Sequence, residues 1–156
     1  MNAAIRIRAV GLPHRDLLKG MYDGFDPLGV ALGLPPCSEE ARHAWIGAAL
    51  DHKVNLAAFS PTGQVVGHCF LVADRAGSAE LAIFVRQEFR RKGVGTALVK
   101  AALEFEGAAG LRRVWTLTSS DNKAALRLQK KCGFRLTDSC SLETELQIDL
   151  PVARAA

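Results

Sequence analysis

The sequence predicts a single mixed α/β domain built on a mostly antiparallel sheet of about six or seven strands with about four helices. Two observations support this fold class. Three consecutive segments in the middle of the 156-residue chain alternate apolar and polar residues or are β-rich, which is typical of an antiparallel meander. The segments after residue 93 then alternate between helical and strand periodicity.

The N-terminal third combines one strand, two helices and a loop. Residues 4–10 alternate apolar and basic side chains, which predicts a strand at the edge or start of the sheet. Apolar residues at helical spacing after Pro13 predict a short helix, and the glycines and prolines of Asp26–Cys37 predict a loop. Ser38 is a typical N-cap for a second helix.

The remaining elements follow in regular order. The predicted strands are Leu56–Phe59, Gln64–Ala73, Glu80–Val85, Val114–Thr118, Phe134–Cys140 and Leu142–Leu150, and the predicted helices are 94–105 and Asn122–Lys131. Residues 107–110 end the first of these helices. Ser120 or Asp121 is expected to cap the second, and Asn122 is expected to be a cap or first-turn residue. Val114–Thr118 is expected to be buried. Residues 1–150 therefore form one domain, and residues 151–156 are expected to be a frayed tail.

The charge distribution indicates a local anion site. The net charge is +4 and the pI is about 9.1. The densest basic cluster contains Arg86, Arg90, Arg91 and Lys92, and it lacks the interleaved aromatic residues of a single-strand nucleic-acid binder. No stretch approaches the roughly 18 apolar residues of a membrane span. We therefore expect a cytoplasmic protein that binds neither nucleic acid nor membrane.

The cysteines and histidines do not indicate a metal site. Cys37, Cys69, Cys132 and Cys140 show neither a C-x-x-C pair nor zinc spacing, so reduced and mostly buried thiols are expected. A cysteine nucleophile with His68 or His43 as its base is the less favoured alternative, because no local signature supports it. His68 lies in an apolar strand and is expected to be hydrogen-bonded in the core or a cleft. His14, His43 and His52 are expected at the surface.

The most informative segment runs from Val85 to Leu98, where a predicted strand leads through a loop into a helix. Gly93 and Gly95 flank the predicted helix start. Amides in a first helical turn have no intrahelical partners, and the helix dipole adds partial positive charge there. Glycines allow a phosphate to approach such amides closely. The segment lacks the third glycine of a Rossmann fingerprint and the Gly-Lys-Ser/Thr of a Walker loop.

This segment resembles a signature of the GNAT acetyltransferases, Arg/Gln-x-x-Gly-x-Gly/Ala, here Arg90-x-x-Gly93-x-Gly95. A second segment, Asn122–Phe134, is similar to the family's Asn-x-x-Ala helix that ends in Gly-Phe. The resemblance covers roughly residues 55–150 well, and it implies a sheet with helices on both faces and acetyl-CoA as the acyl donor. The cofactor-binding residues it implies are Ile83, Phe84, Val85, Arg90, Arg91, Lys92, Gly93, Val94, Gly95, Thr96 and Asn122.

The same resemblance directs attention to a catalytic carboxylate. Many GNATs carry a general base near the place that Glu80 occupies, on the same sheet face as Ala82 and Phe84. The alternative is that Glu80 is a solvated strand-end residue. The family often has a tyrosine acid where this chain has Gln129, and glutamine cannot donate a proton as an acid. The only tyrosine, Tyr22, is expected to be a packing residue.

The acceptor remains open at this stage. Residues 79–86 are similar to the acetyltransferase domains of bacterial protein-lysine acetylases, so a protein lysine is one possible acceptor, and a small-molecule amine is another. A CoA-binding sensor that has lost catalysis is the alternative within the fold, and a nucleic-acid-binding module is the alternative outside it. A monomer and a homodimer are both compatible with the sequence.

Overall fold

A computed structural model describes residues 4–29, 33–105, 108 and 110–151. The seven strands are β1 (Arg6–Ala9), β2 (Val54–Phe59), β3 (Val65–Ala73), β4 (Ser78–Val85), β5 (Arg113–Ser119), β6 (Arg135–Ser139) and β7 (Glu143–Asp149). The four helices are α1 (Arg15–Asp23), α2 (Glu39–Leu50), α3 (Val94–Glu104) and α4 (Lys123–Lys131). Within these ranges, no helix is both long enough and apolar enough to span a bilayer. The predicted fold class is confirmed.

The seven strands form one sheet in the order β1-β2-β3-β4-β5-β7-β6. Every neighbouring pair is antiparallel except β4 and β5, which are parallel because α3 connects them as a crossover. β1 lies at one edge, as predicted for the first strand. The tail beyond Pro151 and part of the segment expected to end α3 lie outside the described residues.

Helices cover the two faces of the sheet differently. α3 and α4 pack on one face, with Leu98 and Val99 fully buried against β2, β3 and β4. α1 and α2 pack on the opposite face, where Tyr22 and Ile46 belong to a second buried cluster with residues of β2 and β3. On that same side, β5, β7 and β6 leave side chains such as Leu117 exposed. We call this surface of the three strands the open face.

Strand β5 differs from its prediction as a buried strand. Val114, Thr116 and Thr118 are buried beneath α3 and α4, but Leu117 on the opposite side is 39% exposed. Only one of its faces is covered, because the second pair of helices lies over β2, β3 and β4 instead. The sequence pattern gave no sign of this, since both faces of β5 carry residues that favour strands.

Two smaller predictions were wrong at least in part. Of the caps considered for α4, Asn122 is confirmed and Ser120 and Asp121 are not, because the Asn122 side chain accepts a hydrogen bond from the amide of Ala125 at 3.1 Å. The thiols are not mostly buried, because Cys37 and Cys140 are exposed while Cys69 is buried. Both exposed cysteines lie in connecting segments, outside the helices and strands. The predicted cap at Ser38 is confirmed by its hydrogen bond from Ala41 at 3.1 Å.

Candidate active site

The sheet splits between its two parallel strands. β4 and β5 pair at only three positions, Ser78 with Arg113, Ala79 with Val114 and Glu80 with Trp115. β4 continues to Val85 in register with β3, so its other edge has no β5 partner from Leu81 onward. Unpaired strand edges present free N–H and C=O groups. The split is therefore a cleft that an extended molecule could enter by hydrogen bonding to β4.

The loop that follows β4 opens directly into α3. A short 3-10 turn at Gln87–Phe89 is followed by Arg91 and Gly93, which have φ values of 62° and 82° in the left-handed region. Gly93 is the N-cap of α3 and supplies no capping side chain. The first helical bond runs from the amide of Ala97 to the carbonyl of Gly93 at 3.0 Å. The amides of the preceding turn, including Val94 to Thr96, thus have no helical partners and are available to an anion.

The three basic residues of this loop differ in their contacts. The guanidinium of Arg90 is already hydrogen-bonded within the protein, since it donates to the carbonyl of Val85 at 2.9 Å and to that of Asp26 at 2.5 Å. It also lies over the ring of Phe25 at 5.4 Å. Arg91 and Lys92 are exposed and have no salt bridge among the described residues. These two residues are the better candidates to supply charge to a bound anion.

The two glycines of the loop serve different purposes. A Cβ at Gly93 would meet nothing within 4 Å, so this glycine satisfies a backbone requirement. A Cβ at Gly95 would lie 2.4 Å from the Cδ1 atom of Leu128, so this glycine allows α3 and α4 to pack closely. Gly95 is buried, and Thr96 beside it is half-buried. Substitution at Gly95 consequently disturbs the packing of α3 against α4 as well as the binding of any ligand.

Glu80 lies at the vertex of the split, as the last residue of β4 that pairs with β5. Side chains alternate along a strand, so Glu80 shares the side of Ala82 and Phe84, which is the side of α1 and α2. Partial burial raises the pKa of the Glu80 carboxyl above its ordinary value. A raised pKa makes a carboxylate a stronger base, which suits proton removal near neutral pH.

Gln129 belongs to a buried polar triad with Thr116 and Thr118. Its amide nitrogen donates to the Thr118 hydroxyl at 2.9 Å and to the Thr116 hydroxyl at 3.4 Å. All three side chains are at least nine-tenths buried between α4 and β5. The glutamine is therefore satisfied by its neighbours, and it contains no group that titrates as an acid. The cap role of Asn122 is observed, whereas its contact with a cofactor stays a prediction.

A second buried hydrogen-bond network lies next to Phe84, on the side of the sheet that α1 and α2 cover. The Tyr22 hydroxyl is 2.6 Å from Nδ1 of His68, and Nε2 of His68 is 2.6 Å from Oδ1 of Asn55. Burial lowers the pKa of His68 to about 3, so the imidazole is neutral and its two nitrogens act as one acceptor and one donor. The expectation of a hydrogen-bonded core histidine is confirmed. Tyr22 is more than a packing residue, because it satisfies the histidine.

This network predicts how stability depends on pH. The unfolded chain protonates His68 below its ordinary pKa of 6.5, whereas the folded chain does not until about pH 3. The unfolded state binds more protons in this window, so the free energy of unfolding should decrease as pH falls through it. Urea denaturation of the wild type and a His68→Gln variant across this range measures the difference. The slope should be smaller in the variant and retained in His52→Gln, and equal slopes in all three proteins would contradict the assignment.

The loop after β4 is hydrogen-bonded to the segment that follows α1. The Gln87 side chain accepts from the amide of Asp26 at 3.3 Å and donates to the carbonyl of Gly24 at 3.0 Å. At the other end of this segment, Arg42 donates to the carbonyls of Pro36 and Cys37. Residues 86–93, which we call the candidate phosphate loop, are thus hydrogen-bonded to the start of the segment that follows α1. This contact lies on the side of the sheet that α1 and α2 cover. No local pattern in the sequence indicates this role for Gln87.

Asp23, Glu39 and His43 come close enough together to share one ion. The Asp23 carboxylate is already occupied, since it accepts hydrogen bonds from Arg42 at 3.0 Å and from His43 at 2.9 Å. Arg42 also carries a permanent positive charge beside that carboxylate, which opposes cation binding. The contacts therefore describe a structural anchor of α1 against α2.

A mixed sheet that splits between its parallel strands, next to a helix that begins at a glycine and has free amides, suits an extended ligand with an anionic end. The family model for the acetyltransferase (GNAT) family matches residues 19–134. The chain therefore belongs to the GNAT acetyltransferase family.

Curated relatives and solved structures agree with this membership. The chain is 30% identical over 102 residues to an L-methionine sulfoximine/L-methionine sulfone acetyltransferase of Pseudomonas aeruginosa, covering 62% of this chain and 59% of that protein. It is 35% identical over 77 residues to an uncharacterized N-acetyltransferase of Methanocaldococcus jannaschii, covering 47% of this chain and 34% of that protein. The chain thus matches only about a third to three-fifths of the length of these relatives.

Two solved structures have the same fold. A phosphinothricin acetyltransferase from Sinorhizobium meliloti in complex with AcCoA has a TM-score of 0.75 and 19% identity, covering 96% of this chain and 89% of that one. A putative acetyltransferase from Salmonella typhimurium with its cofactor acetyl-CoA has a TM-score of 0.74 and 20% identity, covering 98% of both chains. At these identities the comparison establishes the architecture alone.

Proposed function

We propose that the chain transfers an acetyl group from acetyl-CoA to a primary amine, on a small molecule or a protein lysine. The observation that carries this proposal is the juxtaposition of the β4–β5 split with the free amides at the start of α3. An extended acyl thioester with a pyrophosphate at one end matches both features. Glu80, at the vertex of the split, lies where the reactive end of such a molecule would arrive.

The residues present fit the donor at each of its parts. The pyrophosphate accepts hydrogen bonds from the amides of the turn from Gly93 to Thr96, with Arg91 and Lys92 adding charge. The free edge of β4 from Ile83 to Val85 offers backbone groups to the amides of the pantetheine arm. This arrangement directs the thioester toward Leu81 and Glu80. Arg90 acts indirectly, by tying the loop to Val85 and Asp26.

Transfer then proceeds by direct attack. Glu80 removes a proton from the acceptor ammonium, directly or through water, and the neutral nitrogen forms a bond to the acetyl carbon. The C–S bond breaks, and the electron pair leaves on sulfur. Gln129 cannot supply the proton, so the thiolate takes it from solvent. A thiol with an ordinary pKa of about 8.5 is a good enough leaving group for this route.

The charges of Arg91 and Lys92 predict a salt-dependent contribution to donor affinity. Replacing both with glutamine should weaken acetyl-CoA binding, and the difference from the wild type should shrink as ionic strength rises. Calorimetry at two salt concentrations measures this. Lys53→Gln with Arg75→Gln is the matched control, because both residues are exposed near the opposite end of β4. Equal affinities for the loop variant and the control would contradict the assignment.

The experiment that tests donor binding is a calorimetric comparison of acetyl-CoA with acetyl-pantetheine, which lacks the pyrophosphate. We expect acetyl-CoA to bind much more tightly, because only it reaches the amides of α3. Similar affinities would refute the phosphate site.

The buried Gln129 favours a second candidate function, a CoA-binding domain without turnover. This candidate predicts tight acetyl-CoA binding without thiol release in the presence of amines.

A further inference from the structure

Strand β5 places apolar side chains on the open face and two polar side chains on its core side. Its solvent side carries Trp115, which is half-buried, and Leu117, which is 39% exposed. Its core side carries Val114 but also Thr116 and Thr118, which are buried and hydrogen-bonded to Gln129. Sheets covered on one face normally place apolar residues inward and polar residues outward. The exposed apolar residues therefore suit contact with a ligand on the open face.

A cavity of about 260 Å³ lies on this face, lined by Asp74, Ser78, Arg113, Trp115, Glu145 and Gln147. It adjoins the vertex of the split. Trp115 pairs with Glu80 on one side and with Gln147 on the other, and side chains of paired residues point to the same face. A molecule lying on Trp115 would thus be next to the Glu80 carboxylate.

The charges around this cavity are mainly negative. Asp149 accepts from Arg113 at 3.4 Å and from Arg135 at 2.9 Å, so these two cations share one carboxylate. Asp74 also lines the cavity, so the two cations are outnumbered by the carboxylates of Asp74, Glu80, Glu145 and Asp149. Glu145 is half-buried, accepts from the Thr137 hydroxyl at 2.8 Å and has no salt bridge among the described residues. Glu80 likewise has no cationic partner there. A ligand with a positive charge is therefore favoured, and one with a carboxylate is opposed.

We propose that this cavity binds the acceptor, and that the acceptor is an aliphatic diamine or polyamine. This rests on the proposed acetyl transfer. The reacting nitrogen lies at Glu80 on β4, and the chain crosses Trp115 so that a second ammonium group lies between the indole ring and the Glu145 carboxylate on β7. β4 and β7 are two strand spacings apart, which is about 10 Å. A flexible chain of several methylenes spans that distance, whereas the amino and carboxyl groups of an α-amino acid do not.

Three acceptors of equal chain length test the proposal, namely heptane diamine, heptylamine and aminoheptanoic acid. With saturating acetyl-CoA, kcat/KM should be highest for the diamine and lowest for the amino acid. A cation over an indole ring contributes about 0.5–2 kcal/mol, so the diamine should exceed the monoamine by about 2- to 30-fold. Equal values for the three amines, or a preference for the amino acid, would overturn the proposal.

Variants locate the effect. Glu145→Gln combined with Trp115→Leu should lower kcat/KM for the diamine more than for heptylamine, so that the preference for the diamine is lost, while acetyl-CoA affinity stays close to the wild type. Glu104→Gln, an exposed change on α3, should retain the preference. If the double variant keeps the preference, the second ammonium group binds elsewhere and the proposal is wrong.

A binding measurement separates this inference from the proposed function. Heptane diamine should bind the protein–CoA complex in calorimetry, and the double variant should bind it about 2- to 30-fold more weakly. If the diamine binds in this way but no amine is acetylated, the proposed function fails while the cavity assignment stands. If amines are acetylated without any diamine preference, the cavity assignment fails while the function stands.

Discussion

Replacing Glu80 with glutamine should lower kcat for amine acetylation by about 10²- to 10⁴-fold, which is the usual contribution of one general base. Glutamine keeps the size and hydrogen bonding of the side chain but has no basic oxygen that accepts a proton near neutral pH. Steady-state thiol release at neutral pH measures the loss. Acetyl-CoA affinity should not change, because Glu80 lies at the vertex of the split rather than at the phosphate loop.

The pKa of Glu80 determines the pH dependence of this loss. Burial raises that pKa, so the acidic limb of the wild-type rate profile should lie above the ordinary pKa of a glutamate. The rate rises as the carboxyl loses its proton. The variant should lack this limb, and its deficit should shrink at high pH, where the amine arrives already neutral.

Stability provides the control for the same variant. A carboxyl with a raised folded-state pKa costs stability once it is charged, and this cost grows as pH rises through that pKa. The Tm of Glu80→Gln at neutral pH should therefore equal or exceed that of the wild type. If the variant acetylates amines at the wild-type rate with donor binding intact, Glu80 is only a strand-end residue.

Replacing Gly93 with valine should weaken acetyl-CoA binding by about 10- to 100-fold, equivalent to losing one charge-assisted hydrogen bond worth about 1.5–3 kcal/mol. Gly93 has a φ of 82°, which a β-branched residue rarely adopts. The turn must change conformation, and the free amides before α3 then point away from the anion. Calorimetric titration of acetyl-CoA measures the effect.

Asparagine at the same position is the matched variant, because it tolerates the left-handed region better than other non-glycine residues. The space around Gly93 is open, so Gly93→Asn should fold and retain most of the affinity. Gly95 is unsuitable for this test, since its substitution disturbs the contact with Leu128. Equal acetyl-CoA affinity for folded Gly93→Val and wild type would mean that the phosphate binds elsewhere.

The strand, loop and helix start of the candidate phosphate loop could be predicted from the sequence because their signals are local. Gly93, the residues around it and the helix start are consecutive, and each has a short-range signature. Element order followed from the same kind of signal. The sequence left the cap of α4 open, because Ser120, Asp121 and Asn122 are all good caps and only the backbone conformation selects Asn122.

The parts that escaped prediction depend on contacts between distant residues. His68 and Tyr22 are 46 positions apart, and their hydrogen bond exists because α1 packs over β3. Gln87 reaches Gly24 across 63 positions. The cavity on the open face follows from the sheet order, which places β7 rather than β6 beside β5. No local pattern in the sequence encodes that order, so Trp115 and Glu145 could not be recognised together.

The most direct test of the account is acetyl transfer itself, measured with purified protein, acetyl-CoA and an aliphatic amine. Free thiol and acetylated amine should appear in equal amounts, at a rate that depends on the amine and falls sharply in Glu80→Gln. Tight acetyl-CoA binding with no acetylated product from monoamines, diamines, amino acids or lysine peptides would contradict the proposed activity, and would identify the chain as a CoA-binding domain without turnover.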